Sequence, residues 1–299
     1  MSHDRESHGP TPYSPLTESQ RRERAARSGG QPIRESSGGS TPYIDYQRID
    51  VLLSLQHPRT DEPAEMTFYV MGQVKELLFK LLYVELCRVR DELFDNRLER
   101  ALWILRRTDE VQRVLEECWN VLAALSPAEF AAFRDDLGAA SGLGSYMYRQ
   151  LEFVMGNKSA ALAEPYADAP AISGAVEAAL RSPSVWDAAT AWLAAQGYPI
   201  DQACLDRDWS EMPPPAPSVT AAWTAIYRDP ESNRDGHRLG EALSSLAFRV
   251  HRWRNVHLLV VERILGAKVG TGGTDGINWP RRSAEQRVFP ELWLARTAL

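Results

Sequence analysis

Residues 65–94 read EMTFYVMGQVKELLFKLLYVELCRVRDELF, and this stretch decides the fold. Phe68, Val70, Met71, Val74, Leu77, Leu78, Leu81, Leu82 and Leu86 recur at helical spacing, with no proline inside. That pattern predicts a long core helix over 65–94 with a broad apolar face. Gly72 interrupts it at a point where glycine costs roughly 0.5–1 kcal/mol relative to alanine. Either a neighbouring helix passes close to Gly72 or room is kept there for a ligand. Phe68 lies one turn away on the same side.

Outward from this helix the pattern repeats. A second helix is expected over 98–125, halting before Ser126-Pro127-Ala128-Glu129, where an N-cap serine, a first-turn proline and a glutamate three residues on read as a helix start. Others are expected over 146–163, 173–180, 184–196 and 218–227, with a last long helix over 240–265 stopping at Gly266. The proline run 212–217 requires an extended connection. No segment alternates with period two, so the fold class is all-α: a helical bundle of long core helices in one domain over 41–299. Residues 1–40, rich in Ser, Gly, Arg and Glu, are expected to form a disordered tail. The Arg21–Arg27 segment within them reads as a short helix or a solvated charge run.

The 299 residues carry a formal net charge of -6, which argues against a nucleic-acid binder. Cys87, Cys118 and Cys204 are dispersed, without the spacing of a disulfide framework or a zinc site. No apolar run is long enough to span a bilayer, and the N-terminus lacks a signal-peptide core. A cytoplasmic, small-molecule protein is expected.

Chemistry concentrates late in the chain. His257 has Trp253, Val260, Val261 and Ile264 at helical spacing, which sets it on an apolar face. A neutral imidazole there suits an axial metal ligand, and equally a core histidine satisfied by a hydrogen bond. His251, flanked by Arg249 and Arg252, is expected to be exposed. The glycine-rich run 270–276 offers backbone amides to an anion or serves as a flexible connector. Arg149, among aromatic residues, is placed to clamp a carboxylate or to pair with Glu152.

These pieces occur in an order that resembles the tryptophan 2,3-dioxygenase family. Carrying the resemblance are Tyr43-Ile44-Asp45-Tyr46, Glu65-Met66-Thr67-Phe68, Glu76-Leu77-Leu78-Phe79-Lys80, Ser141-Gly142, Tyr148-Arg149, Glu152-Phe153 and Gly156-Asn157-Lys158. The C-terminal part adds Val261–Lys268, Gly270-Thr271-Gly272-Gly273 and Phe289-Pro290-Glu291-Leu292-Trp293. The resemblance spans nearly everything after the tail.

It implies a haem b pocket enclosed by the bundle, with His257 as the iron ligand and Trp253 and Gly272 beside the cofactor. It further implies that Arg149 holds the substrate carboxylate, Thr271 meets its ammonium and carboxylate, and Phe68 lines the indole pocket. Tyr43 and Tyr46 would reach into a neighbouring subunit's pocket in a homotetramer. The implied reaction inserts O2 across the indole C2–C3 bond of L-tryptophan or a substituted tryptophan, giving an N-formylkynurenine. Alternatives are a monooxygenase forming a 2-oxindole and a non-catalytic haem sensor or scaffold. The chain departs from the family at Gly72, where a distal histidine is usual, and at Gln47, Leu78 and Leu143-Gly144.

Overall fold

The computed structural model describes residues 15–33, 39–213, 216–266, 268, 270 and 278–299. Among them are fifteen α-helices and no strand. The chain divides into two units, Met1–His57 and Pro58–Leu299.

The first unit contains α1 (Glu18–Arg27), α2 (Pro42–Gln47) and α3 (Ile49–Leu53). Within the stretch expected to be a tail, α1 is closed by a capping box in which Thr17 and Gln20 bond reciprocally, and none of its residues is buried. It is thus both a helix and a solvated charge run, held by local bonds alone. Arg48, in the left-handed region at φ 52°, separates α2 from α3.

The second unit is organised by α4 (Pro63–Phe94), α5 (Leu98–Ala123) and α13 (Arg234–Leu265), with α5 packed against both of the others. Pro63 starts α4 at the position where its missing N–H costs nothing, and the Glu62 carboxylate accepts from Ala64 N at 3.2 Å. Phe79, Leu82, Leu86, Val89 and Leu93 form its buried seam. Leu77 and Leu81, expected in the core, are exposed, because the apolar face of α4 is wider than its packed neighbours cover.

Around this layer stand α6 (Pro127–Arg134), α7 (Tyr146–Val154), α8 (Ala160–Ala163), α9 (Pro170–Arg181), α10 (Val185–Ala195), α11 (Gln202–Leu205), α12 (Pro217–Arg228), α14 (Asn278–Glu285) and α15 (Pro290–Thr297). The capping box read at Ser126 is present: Glu129 N donates to Ser126 Oγ at 3.2 Å, and Ser126 N to the Glu129 carboxylate at 2.7 Å.

The helix expected over 146–163 breaks after Val154. Gly156 sits at φ +105°, and a Cβ there would lie 3.3 Å from the Cβ of Trp186. Lys158 then turns inward and donates to the carbonyls of Ala179, Leu180 and Ser182 at 2.7, 2.8 and 2.5 Å, closing the C-terminus of α9. Among the described residues no helix is long and apolar enough to cross a membrane.

Candidate functional site

The C-terminal half of α13 carries His257 on the stripe that faces α5. Its imidazole stacks on the indole of Trp119, with centroids 4.4 Å apart and planes 11° from parallel, and Trp253 stands 6.0 Å away on the preceding turn. Trp253 is bordered by Trp119 at 5.6 Å, Phe79 at 5.7 Å and Tyr148 at 5.4 Å. Burial, followed by the Lys75 ammonium, pushes the His257 imidazole down to about 3, so the ring stays neutral at ordinary pH.

No hydrogen bond to either ring nitrogen of His257 is found among the described residues. The stack occupies the ring face, whereas ligation uses a lone pair in the ring plane. The imidazole therefore keeps its capacity to bind a metal. The indole N–H groups of Trp119 and Trp253 are buried and have no acceptor among the described residues, an arrangement that costs free energy unless a ligand meets it.

Three residues of α4 lie along one face near this cluster. Phe68 packs against Phe130 and Phe133 of α6, at 5.7 and 5.6 Å. Gly72 is open: a Cβ built there meets no heavy atom within 4 Å, so close helix packing is not what the glycine serves. One turn on, the Lys75 ammonium lies 3.9 Å from the centroid of Trp119. Burial pushes it down to about 8.

α7 contributes the charged part, and Ser145 begins that helix by accepting from Tyr148 N at 3.0 Å. Arg149 and Glu152 form an ion pair, the pairing read in the sequence, and both are buried. The same carboxylate accepts from Arg254 of α13 at 2.8 Å. Arg254 also donates to the Tyr148 hydroxyl and the Gln286 carbonyl, each at 3.2 Å. Two guanidinium groups thus share one carboxylate. Arg149 Nε is buried without a partner among the described residues. A second carboxylate would complete this cluster bidentately.

The structure sets Trp253 beside His257 at one aromatic wall, ties Arg149 to that wall through Glu152, Arg254 and Tyr148, and puts Gly72 and Phe68 on the α4 face that carries Lys75. Tyr43 and Tyr46 lie on α2 and are exposed, at 67 and 85%. Thr271 and Gly272 lie outside the described residues. His251, expected to be exposed, is half-buried and its ring nitrogens face the Arg287 guanidinium. The fold brings Arg287 over it from beyond α14, a contact that local spacing does not reveal.

Trp119, Lys75 and Arg254 were missed in the sequence. A signal existed for Arg254, a charge on the apolar stripe between Val250 and His257, which requires a buried partner. For Trp119 there was none, since its role depends on α5 meeting α13.

The donor set suits a flat apolar cofactor held by one histidine: a neutral imidazole, unsatisfied indole donors, aromatic walls and open space at Gly72. No group of three or more His, Cys, Asp or Glu side chains converges to hold a bare ion among the described residues. A cavity of about 820 Å³ lies elsewhere, between α5, α13 and α15, lined by Leu105, Arg106, His237, Glu241, Phe248 and Trp293 among others. It contains none of the site residues.

Fold and site together define an all-helical bundle protein with a neutral histidine at an aromatic wall and, linked to that wall, two buried arginines that share the Glu152 carboxylate. The chain matches the family model of tryptophan 2,3-dioxygenase over residues 27–210 and 215–299, and it belongs to that family. It is 41% identical over 260 residues to tryptophan 2,3-dioxygenase 1 of Ralstonia nicotianae, covering 87% of this chain and 88% of that protein. It is 40% identical to the Ralstonia pickettii tryptophan 2,3-dioxygenase over 260 residues, covering 87% of this chain and 94% of that one. The Burkholderia pseudomallei tryptophan 2,3-dioxygenase is 40% identical over 274 residues, with 92 and 90% covered.

Proposed function

We propose that this chain is a haem-dependent tryptophan 2,3-dioxygenase, adding both atoms of O2 across the indole C2–C3 bond of L-tryptophan to give N-formylkynurenine. The observation that carries this reading is the juxtaposition of a neutral His257 with the Arg149–Glu152–Arg254 cluster, linked through Trp253 and Tyr148. One group is chemically fit to ligate iron. The other lacks one anion, and an amino-acid substrate brings a carboxylate.

His257 would hold haem b, with Trp253 and Gly272 beside it. When bound, haem supplies the iron at which O2 is held and activated. The protein's part is positional. Arg149 fixes the substrate through its carboxylate, Thr271 meets the ammonium and carboxylate, and Phe68 borders the indole. Gly72 brings no side chain to the indole N–H, which forgoes one hydrogen bond worth on the order of 1 kcal/mol. That is too little to abolish the reaction. The space left at Gly72 gives room for a substituted ring.

Tyr43 and Tyr46 belong to this reading as residues that enter a neighbouring subunit's pocket in a homotetramer. Their exposure supports it, as do the exposed Leu77, Leu81 and Val84 of α4 and Trp103 of α5, which is 63% accessible. The test is the product formed from L-tryptophan under ¹⁸O2 by haem-loaded, reduced protein. N-formylkynurenine carrying both labelled atoms is expected. A singly labelled 2-oxindole, or no turnover of any indole amino acid, contradicts the proposal.

A further inference from the structure

Lys75, beside the aromatic cluster, lacks an anionic or carbonyl partner among the described residues. Arg149 and Arg254 share Glu152, Arg263 donates to the Ala123 carbonyl at 2.8 Å, and Arg281 faces Glu262 at 3.5 Å. Lys75 has no carboxylate within ion-pair distance and no hydrogen bond among the described residues. Glu76, next in sequence, interacts with the Ser145 hydroxyl. What holds the Lys75 ammonium is the face of Trp119, at 3.9 Å.

The same indole has a buried N–H without an acceptor, and its ring lies against the imidazole of His257. Two unsatisfied donors, one of them charged, thus meet at one aromatic ring beside the candidate iron ligand and one turn from the open space at Gly72. A half-buried ammonium resting only on a π-face is under-compensated, because a cation–π contact at a partly exposed site is weak and replaces little of the lost hydration. A carboxylate satisfies both donors with charge-assisted bonds.

We propose that Lys75, with the Trp119 indole N–H beside it, seats a carboxylate of the porphyrin, and so acts as a cofactor-positioning residue. The inference rests on the haem reading of the site. Porphyrin and substrate both carry carboxylates. The substrate carboxylate already has the Arg149 cluster, with its unpartnered Nε, whereas Arg254, Arg263 and Arg281 are each occupied by a carboxylate or a carbonyl. Seating a propionate here anchors the macrocycle at its edge, independently of the bond from His257 to iron.

The test is a set of haem titrations of apoprotein, read from the Soret band, for wild type, Lys75→Met and Lys75→Arg, using haem and haem dimethyl ester, which has no free carboxylate. Helix content measured by circular dichroism checks that each variant is folded. Wild type is expected to bind haem roughly 10- to 100-fold more tightly than the ester, the span of one charge-assisted bond. Lys75→Met should lose about tenfold or more toward haem and nothing toward the ester, and Lys75→Arg should retain most of the discrimination. In parallel, tryptophan and tryptamine should be told apart equally well by wild type and Lys75→Met.

The inference is overturned if Lys75→Met binds both porphyrins as wild type does, if it weakens both alike, or if it abolishes the tryptophan–tryptamine discrimination instead. A wild type that binds no haem through histidine overturns the functional reading itself. A wild type that binds haem while Lys75→Met matches it overturns this inference alone.

Discussion

The two halves of α13 are built to different ends. In the N-terminal half, glycines let another helix approach: a Cβ on Gly236 would meet the Ile226 side chain at 2.7 Å, and one on Gly240 would meet the Tyr227 hydroxyl at 3.1 Å and the Trp223 ring at 3.2 Å. The polar groups there are satisfied. Tyr227 donates to Glu241 at 2.7 Å, and Arg296 reaches Tyr227, Glu241 and Ser244 at 3.2, 3.1 and 3.0 Å. The C-terminal half is bordered by donors without acceptors, a neutral imidazole without a hydrogen bond, and a glycine on α4 that no helix approaches. One half spends its sequence on closure, and the other leaves valences open. Open valences inside a fold cost stability, and a ligand is the usual compensation.

The contrast breaks most visibly at Arg254. Replacing it with methionine removes one of two guanidinium groups from a buried carboxylate and leaves the Tyr148 hydroxyl without that donor. A loss of about 3 kcal/mol is expected, at the low end for a broken buried pair because Arg149 remains. Urea denaturation of the apoprotein measures it. Next comes Gly240→Val, which forces Trp223 and Tyr227 aside and should cost about 1–3 kcal/mol, the usual range for overpacking, while leaving the haem spectrum of the folded fraction unchanged.

Gly72→Ala should do the reverse. With nothing in the way of the new Cβ, ordinary helix propensity predicts a gain of about 0.5–1 kcal/mol. If Gly72→Ala destabilises the apoprotein as Gly240→Val does, the two glycines serve one purpose and the contrast fails.

A further effect is on pH dependence. The folded-state value of His257 lies below its unfolded value of about 6.5, at about 3. Between those values the unfolded chain binds a proton that the folded chain does not. Stability from this group is therefore fully present above about pH 6.5 and declines as the pH falls toward 3. His257→Phe keeps a ring against Trp119 but has no proton to gain. The apoprotein variant should show a shallower loss of stability between pH 6.5 and 4.5 than wild type, measured by thermal midpoints.

Much of this was legible in the sequence where one helix suffices to make the argument. The long runs of α4 and α13, the Ser126 capping box and the apolar stripe around His257 all follow from local periodicity and capping chemistry. Local signals failed where a tertiary contact decides. The break after Val154 reflects Gly156 yielding to Trp186 across the bundle, and the exposure of Leu77 and Leu81 reflects how much of α4 is left uncovered by α5, α7 and α10. The helix α1 forms with no core at all, from the reciprocal bonds of Thr17 and Gln20 and the pairing of Glu18 with Arg22 at 3.2 Å. At the site, Arg149 could be read as pairing with Glu152, but not as half of a pair with Arg254, which comes from a helix a hundred residues away. Trp119 and Lys75 carried no local mark, because their significance exists only where α4, α5 and α13 meet.

The most direct measurement is the ligation state of the iron. Apoprotein loaded with haem should give the Soret and visible bands of a histidine-ligated centre, and His257→Ala should lose them while keeping its helix content, with added imidazole restoring the spectrum. An unchanged histidine-ligated spectrum in His257→Ala would show that iron binds elsewhere and that the open half of α13 has some other use.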